Sequence, residues 1–262
     1  MAIKKWTPEQ TRHPKTEHFN GHRVDAATTE AGRQVSEAVY WKKYYEKADC
    51  SYEWNNGYLE LKSMPNSQQV LMYGWFLELL RIYLRRQPIA QLMFLEVGFR
   101  LVLHNKVTIR KPDLFIVRND NPIKLTEIDR SYKGICDLAV EALSDSNNDE
   151  IERDTVSKKA EYESVGVKEY YVLDASGKHR VFYLRNERGF YDVVKPDEAG
   201  VIRSTVLPGF QFRVDDLYRQ PSPIEMAEDP VYQAFVLPEY QVEKRRAERL
   251  AARLRALGLD DQ

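Results

Sequence analysis

Three residues of this chain have the types and settings that metal-assisted phosphoryl chemistry needs. Asp113 ends Ile109-Arg-Lys-Pro-Asp113 and stands at the start of the apolar run Leu114-Phe-Ile-Val117. Glu141 interrupts Asp137-Leu-Ala-Val-Glu-Ala-Leu-Ser144, a strand pattern in which an unpaired carboxylate is costly to bury. Lys158 lies in a helical segment. At ~100° per residue, Ile151, Thr155, Lys158, Tyr162 and Val165 share one stripe, so Lys158 is expected to face the sheet. Lys159, rotated by ~100°, belongs on the flank. Asp154, one turn before Lys158, can pair with it.

Two carboxylates on neighbouring strands suit Mg²⁺, with Mn²⁺ as a substitute, because a hard cation takes oxygen ligands and often only one or two carboxylates plus water and phosphate. Such an ion holds a phosphate oxygen and acidifies a bound water. A lysine supplies positive charge beside the attacking water or the developing oxyanion. The competing explanation is a buried Asp–Glu–Lys ion network with a structural role. The combination on adjacent elements favours a site. Asp113 and Glu141 are then expected to converge on one ion, with mutual repulsion raising the pKa of at least one.

The elements that must position these groups are legible in outline. A helical pattern runs from Gln34 to Ala48. Asn56-Gly57, between Tyr52-Glu-Trp-Asn55 and Tyr58-Leu-Glu-Leu61, predicts a two-residue hairpin turn with positive φ at both positions. Gln68–Leu84 predicts a helix apolar on nearly every side, with Leu71, Trp75, Glu78 and Ile82 on one stripe, buried in the core or at a subunit contact. Glu78 is either a buried functional carboxylate or a helix-edge residue reaching solvent. Leu92–Leu103 alternates as one strand, followed by strands at 113–117 and 137–143. A helix over 149–165 closes at Gly166, and strands follow at 169–174 and 179–185. This order predicts an α/β fold with a mixed sheet covered by helices.

The flanks read differently. Residues 1–32 are polar, hold His13, His18 and His22 at spacings that fit no compact ligand set, and are expected to form a mobile arm. Residues 33–220 make the core domain. From 221 a proline-punctuated extended arm leads to a C-terminal helix, where Val242, Ala247, Leu250, Leu254 and Leu257 form a narrow apolar stripe. That stripe favours a homodimer, which would set two sites across a two-fold axis.

Composition excludes several classes. Thirty-nine Lys+Arg against 40 Asp+Glu leave a net charge of −1, so the chain is no broadly basic nucleic-acid coat. Arg110, Lys111, Lys106 and the N-terminal arm are the candidates for a local basic surface, with an ordinary solvated surface charge the expected state for most of them. Two cysteines, Cys50 and Cys136, exclude a disulfide scaffold and a four-cysteine zinc site. No run is long and apolar enough for a membrane span and no signal-peptide core is present, so a cytoplasmic protein is expected. No glycine loop for ATP phosphates occurs.

Taken in order, Ile109-Arg-Lys-Pro-Asp113, Asp137-Leu-Ala-Val-Glu-Ala-Leu-Ser144 and Asp154-x-x-x-Lys158-x-x-x-Tyr162-x-x-x-Gly166-Val-Lys-Glu-Tyr-Tyr-Val-Leu-Asp174 resemble the Uma2 family of restriction-endonuclease-like proteins, within the PD-(D/E)xK nuclease superfamily. The resemblance spans roughly Tyr52 to Leu217. It implies a restriction-endonuclease-like core, with Asp113 and Glu141 as metal ligands and DNA as substrate. The superfamily's usual lysine position, two residues after the acid, holds Leu143 here, and Lys158 matches the displaced Uma2 lysine. Many members carry a His near the start of the helix that begins here at Gln68-Gln69. The expected activity is Mg²⁺-dependent cleavage of DNA. The alternative is a catalytically silent nuclease-fold module that binds nucleic acid or protein.

Overall fold

A computed structural model describes residues 29–46, 50–143 and 148–256. Most of the expected N-terminal arm, with its three histidines, lies outside the described residues, as do Ser144 and Leu257. The chain begins with α1 (Glu37–Lys43), whose Ser36 side chain caps its first turn. The hairpin β1 (Tyr52–Asn55) and β2 (Tyr58–Leu61) follows. Its turn is as expected: Asn56 and Gly57 have φ of 48° and 102°, the mirror-image turn that matches strand twist.

Helix α2 (Ser67–Arg86) opens with a capping box in which Asn66 and Gln69 exchange side-chain to backbone bonds. Strands β3 (Ala90–Phe94), β4 (Phe99–Val102), β5 (Val107–Arg110), β6 (Leu114–Arg118) and β7 (Leu138–Ala142) come next. A helical crossover consists of α3 (Asn148–Glu152), a π-helical stretch (Arg153–Ser157) and α4 (Lys158–Val165). Then come β8 (Glu169–Leu173), β9 (Val181–Arg185), β10 (Tyr191–Val193), β11 (Val201–Arg203), β12 (Gln211–Arg213), α5 (Asp216–Arg219), α6 (Pro223–Glu228) and α7 (Pro238–Ala256).

The main sheet has the order β10-β9-β8-β7-β6-β3, and only β7 and β8 pair in parallel. Parallel neighbours need a long crossover, which α3 to α4 provides. Both strands are buried on both faces, which is why 138–142 and 169–173 read as near-continuous apolar runs. One face packs on α2 through Leu114, Ile116, Leu138 and Val140. The other carries Phe115, Ala139, Tyr170 and Val172 against Tyr162 of α4. A second antiparallel sheet, β2-β1-β5-β4, packs with α1 around Tyr40, Tyr52, Trp54 and Ile109.

Three expectations are revised. The buried stripe of α2 is Met72, Trp75, Phe76, Leu79, Leu80 and Tyr83, while Leu71 and Glu78 are exposed. A helix apolar on most sides does not reveal its inner face by periodicity alone; Glu78, Arg81 and Arg85 mark the wet side. The run 92–103 is not one strand. Leu95 and Glu96, with φ of 60° and 66°, turn a corner that sends β3 and β4 into different sheets. Gly98 beyond the corner is a close-approach site, since a Cβ there would stand 2.6 Å from the Arg110 carbonyl oxygen. Finally, the core does not stop at residue 220. Met226, Ala227, Tyr232, Phe235 and Val236, in the segment expected as an extended arm, share one core with α2.

Candidate active site

Asp113 and Glu141 meet across the central strands. In the β6–β7 register Leu114 opposes Val140, so the next pair outward is Asp113 and Glu141. Both point to the face covered by α4, because side chains alternate and Leu114 and Val140 face α2. Asp113 is fixed from two sides: its Oδ2 accepts the Ala142 N–H at 2.7 Å, and its Oδ1 lies 3.1 Å from Lys62 Nζ. Its side chain keeps 28% of its exposure, so one side remains open to solvent. Glu141 is buried. Its Oε1 lies 3.0 Å from Lys158 Nζ and accepts the Tyr162 hydroxyl at 3.1 Å.

Lys158 faces the sheet as its stripe predicts. Its ammonium is buried among three carboxylates, with Asp154 at 3.0 Å, Glu141 at 3.0 Å and Glu53 at 3.3 Å. Lys159 lies on the flank and pairs with Glu163 at 2.9 Å. Behind Glu53 stands Arg110, fully buried, which bridges Glu53 at 3.1 Å and Glu161 at 2.6 Å and also pairs with Glu60. The Glu53 Oε1 also accepts the Lys111 N–H at 2.7 Å. Arg110 and Lys111, candidates for a basic surface or for ordinary solvated charges, are instead buried within the protein.

A family model described as "Putative restriction endonuclease", Uma2, matches residues 38–215. The chain belongs to the Uma2 family. Among solved structures it is similar to the crystal structure of "a putative nuclease belonging to DUF820" from Anabaena variabilis. That match has a TM-score of 0.54 at 15% identity and covers 71% of this chain and 98% of the other. At that identity it shows the fold, a nuclease-type α/β core. No curated protein matches the sequence.

Within this Uma2 core, burial shapes the electrostatics. Burial pushes the Glu141 carboxyl up to about 8; Lys158 works against the rise, and Asp154, Asp113 and Glu53 add to it. The expected rise is present, although loss of water and not repulsion from Asp113 is its main cause. Burial would raise Glu53 as well, yet Lys158, Arg110, Arg153 and Lys62 together hold it far below the usual carboxylate range. Burial disfavours the charge on Lys158, but Asp154, Glu141 and Glu53 overcome it and raise its pKa. Lys62 is raised in the same way, chiefly by Asp113 and Glu96. Lys111 is lowered by its burial.

The donor chemistry at this edge fits a hard divalent cation. Asp113 and Glu141 offer oxygens only, from opposed strands on one face, and Lys158 only partly offsets the burial that raises the Glu141 carboxyl. Among the described residues no group of three or more His, Cys, Asp or Glu side chains forms a ready ligand set. A cation held by Asp113 and Glu141 would complete its shell with water and phosphate, as Mg²⁺ commonly does.

Sequence reasoning missed three members of the cluster. Glu53 and Lys62 come from the hairpin and Glu96 from the Leu95–Glu96 corner, all outside the main sheet. Glu53 had a signal: a carboxylate between Tyr52 and Trp54 in a short strand. Nothing local marks Lys62, which follows β2 as an ordinary charged residue. Gln69, at the helix start, donates its side-chain amide to the Leu143 carbonyl and so ties α2 to the end of β7.

Proposed function

We propose that this chain is a Mg²⁺-dependent endonuclease that hydrolyses DNA phosphodiester bonds, with Asp113 and Glu141 as metal ligands and Lys158 as the third member of the site. One observation carries this reading: two carboxylates from opposed strands face the same side, and a buried lysine ammonium stands 3.0 Å from one of them. Family membership and the nuclease-type core support it. The bound cation would supply Lewis acidity and an acidified water. The protein's own residues hold and orient. The Ala142 N–H and Lys62 fix Asp113, while Tyr162 and Lys158 fix Glu141 on its Oε1. Lys158 keeps the cluster of Glu53, Glu141 and Asp154 together as a charged, largely water-free wall. DNA is the proposed partner, and a homodimer through the exposed stripe of α7 is the proposed assembly.

Plasmid nicking in Mg²⁺ by the wild type and by Glu141→Ala tests the reading. Cleavage by the wild type that is lost in the variant supports it; a wild type that leaves plasmid intact in both Mg²⁺ and Mn²⁺ overturns it. The silent-module reading draws on one feature, the three carboxylates that already engage Lys158. It predicts DNA binding without cleavage.

A further inference from the structure

Among the described residues, Lys62 is the one cation that reaches the solvent-open carboxylate of the pair. It directly follows β2, in the second sheet, and spans to the main sheet. Its ammonium lies 3.1 Å from Asp113 Oδ1, 3.1 Å from Glu96 Oε1 and 2.7 Å from the Lys111 carbonyl oxygen. An ammonium has three protons to donate, and here each has an oxygen. Glu96 is presented by the corner at Leu95 and Glu96, where two successive side-chain-bearing residues hold positive φ. Such a conformation is disfavoured for residues other than Gly and Asn. The fold tolerates this cost at the point that brings a second carboxylate to Lys62.

We propose that Lys62 is a built-in counter-ion of Asp113, which competes with the divalent cation for that carboxylate and so sets the concentration at which the site loads. This rests on the reading above, that Asp113 and Glu141 hold the cation. Lys158 cannot take this part, since its side chain is 1% exposed and three carboxylates hold it. Lys62 has somewhere to remain: Glu96, itself 46% exposed, and the Lys111 carbonyl still accept its protons when Asp113 turns to a cation. Without a cation, Lys62 cancels the Asp113 charge and spares the site a repulsive carboxylate pair.

Calorimetric titration of the full chain with Mn²⁺ tests this, with thermal melts in EDTA and in Mn²⁺ as a second readout. Lys62→Met keeps the apolar stem and removes the competitor. It is expected to bind Mn²⁺ at least ten-fold more tightly, to melt lower in EDTA, and to gain more from added Mn²⁺ than the wild type does. A lysine that merely ties the two sheets together would give the opposite sign, so unchanged or weaker Mn²⁺ affinity overturns the proposal. Should Lys62→Met not fold, Glu96→Gln serves. It leaves Lys62 more dependent on Asp113, and Mn²⁺ affinity should fall several-fold; equal or tighter binding overturns the proposal. Asp113→Asn separates the two layers of argument. Uptake that needs Asp113 but ignores Lys62→Met removes only the counter-ion role. No Asp113-dependent uptake at all removes the metal-site reading and this proposal together.

Discussion

Lys158 contacts three carboxylates, of which Glu53 also pairs with Arg110 and Asp154 with Arg153. Glu141, by contrast, has Lys158 as its ion-pair partner among the described residues, and that decides how substitution of Lys158 should behave. Removing one partner of a buried ion pair leaves uncompensated charge and costs about 3–5 kcal/mol. Lys158→Ala is therefore expected to abolish cleavage and also to lower the melting temperature, so the intact fold that a purely catalytic lysine would allow is not anticipated. Lys159→Ala removes a partly exposed pair with Glu163 and should cost less than about 1 kcal/mol while retaining most activity. Cleavage assays and melts on the two variants check this, and the reverse order would contradict the assignment. Glu141→Gln keeps shape and the Tyr162 bond but removes the charge a cation needs; cleavage should fall by at least about 100-fold. Asp113, Glu141 and Lys158 were legible because each breaks a local pattern: a charge at a strand mouth, a charge inside a strand, a lysine on an inward stripe. Lys62 breaks no such pattern, Glu53 breaks one only within a four-residue strand, and the significance of both arises only when a second sheet folds over the first.

The crossover helix shows how an element delivers such residues. Residues Arg153–Ser157 are π-helical, and the Lys158 N–H reaches back to the Arg153 carbonyl. A stripe drawn at a constant ~100° per residue should have drifted across this stretch. Within the stretch Asp154 is buried and Thr155 only half-buried, whereas Lys158 and Tyr162, in the regular α4 that follows, share the inward face. The same element carries Glu161, which accepts from Arg110 Nε at 2.6 Å and from Lys106 at 2.6 Å. Burial opposes its charge, yet Arg110 and Lys106 hold its pKa below the ordinary value of 4.5. A depressed acid contributes stability that is fully present above its unfolded pKa and is lost as pH falls through the folded value. Glu161→Gln should cost about 3 kcal/mol at pH 7. The gap from wild type, followed by urea melts, should stay constant down to about pH 4.5 and close only below it; a gap that closes between pH 7 and 5 would refute this origin. The corner between β3 and β4 offers a complementary test. Leu95 is 80% exposed at a φ of 60°, so it contributes little packing in return for its strain. Leu95→Asn should stabilise the protein by up to about 1 kcal/mol. That corner was hidden in the sequence, because the apolar alternation of 92–103 continues unbroken across it.

At the scale of the molecule, α7 is the surface that most needs an explanation. None of its residues is buried. It is moored through its first two turns, by Glu239 to Arg86 at 2.9 Å and by Lys244 to Glu228 at 2.7 Å. Beyond that it presents Ala247, Leu250 and Leu254 at i, i+3 and i+7, with both leucines about half exposed. Arg246, Arg249 and Arg253 repeat the same spacing one position earlier, so an arginine stripe runs beside the apolar one. A second copy of α7 would cover the leucines, but it would also bring two arginine stripes together. Apolar burial drives such a dimer, and like charge opposes it. The opposing part is screened by salt, since the Debye length falls from about 10 Å at 0.1 M to about 3 Å at 1 M. The dimer should therefore tighten as NaCl is raised, the reverse of an association held by ion pairs or of binding to DNA phosphates. Light scattering at micromolar concentration across a salt series reads this directly. Leu250→Glu with Leu254→Glu should leave a folded monomer at every salt concentration. A wild type that is monomeric throughout would remove the dimer. A dimer that survives the double substitution would place the contact elsewhere, with the exposed Leu71 face of α2 the next surface to alter.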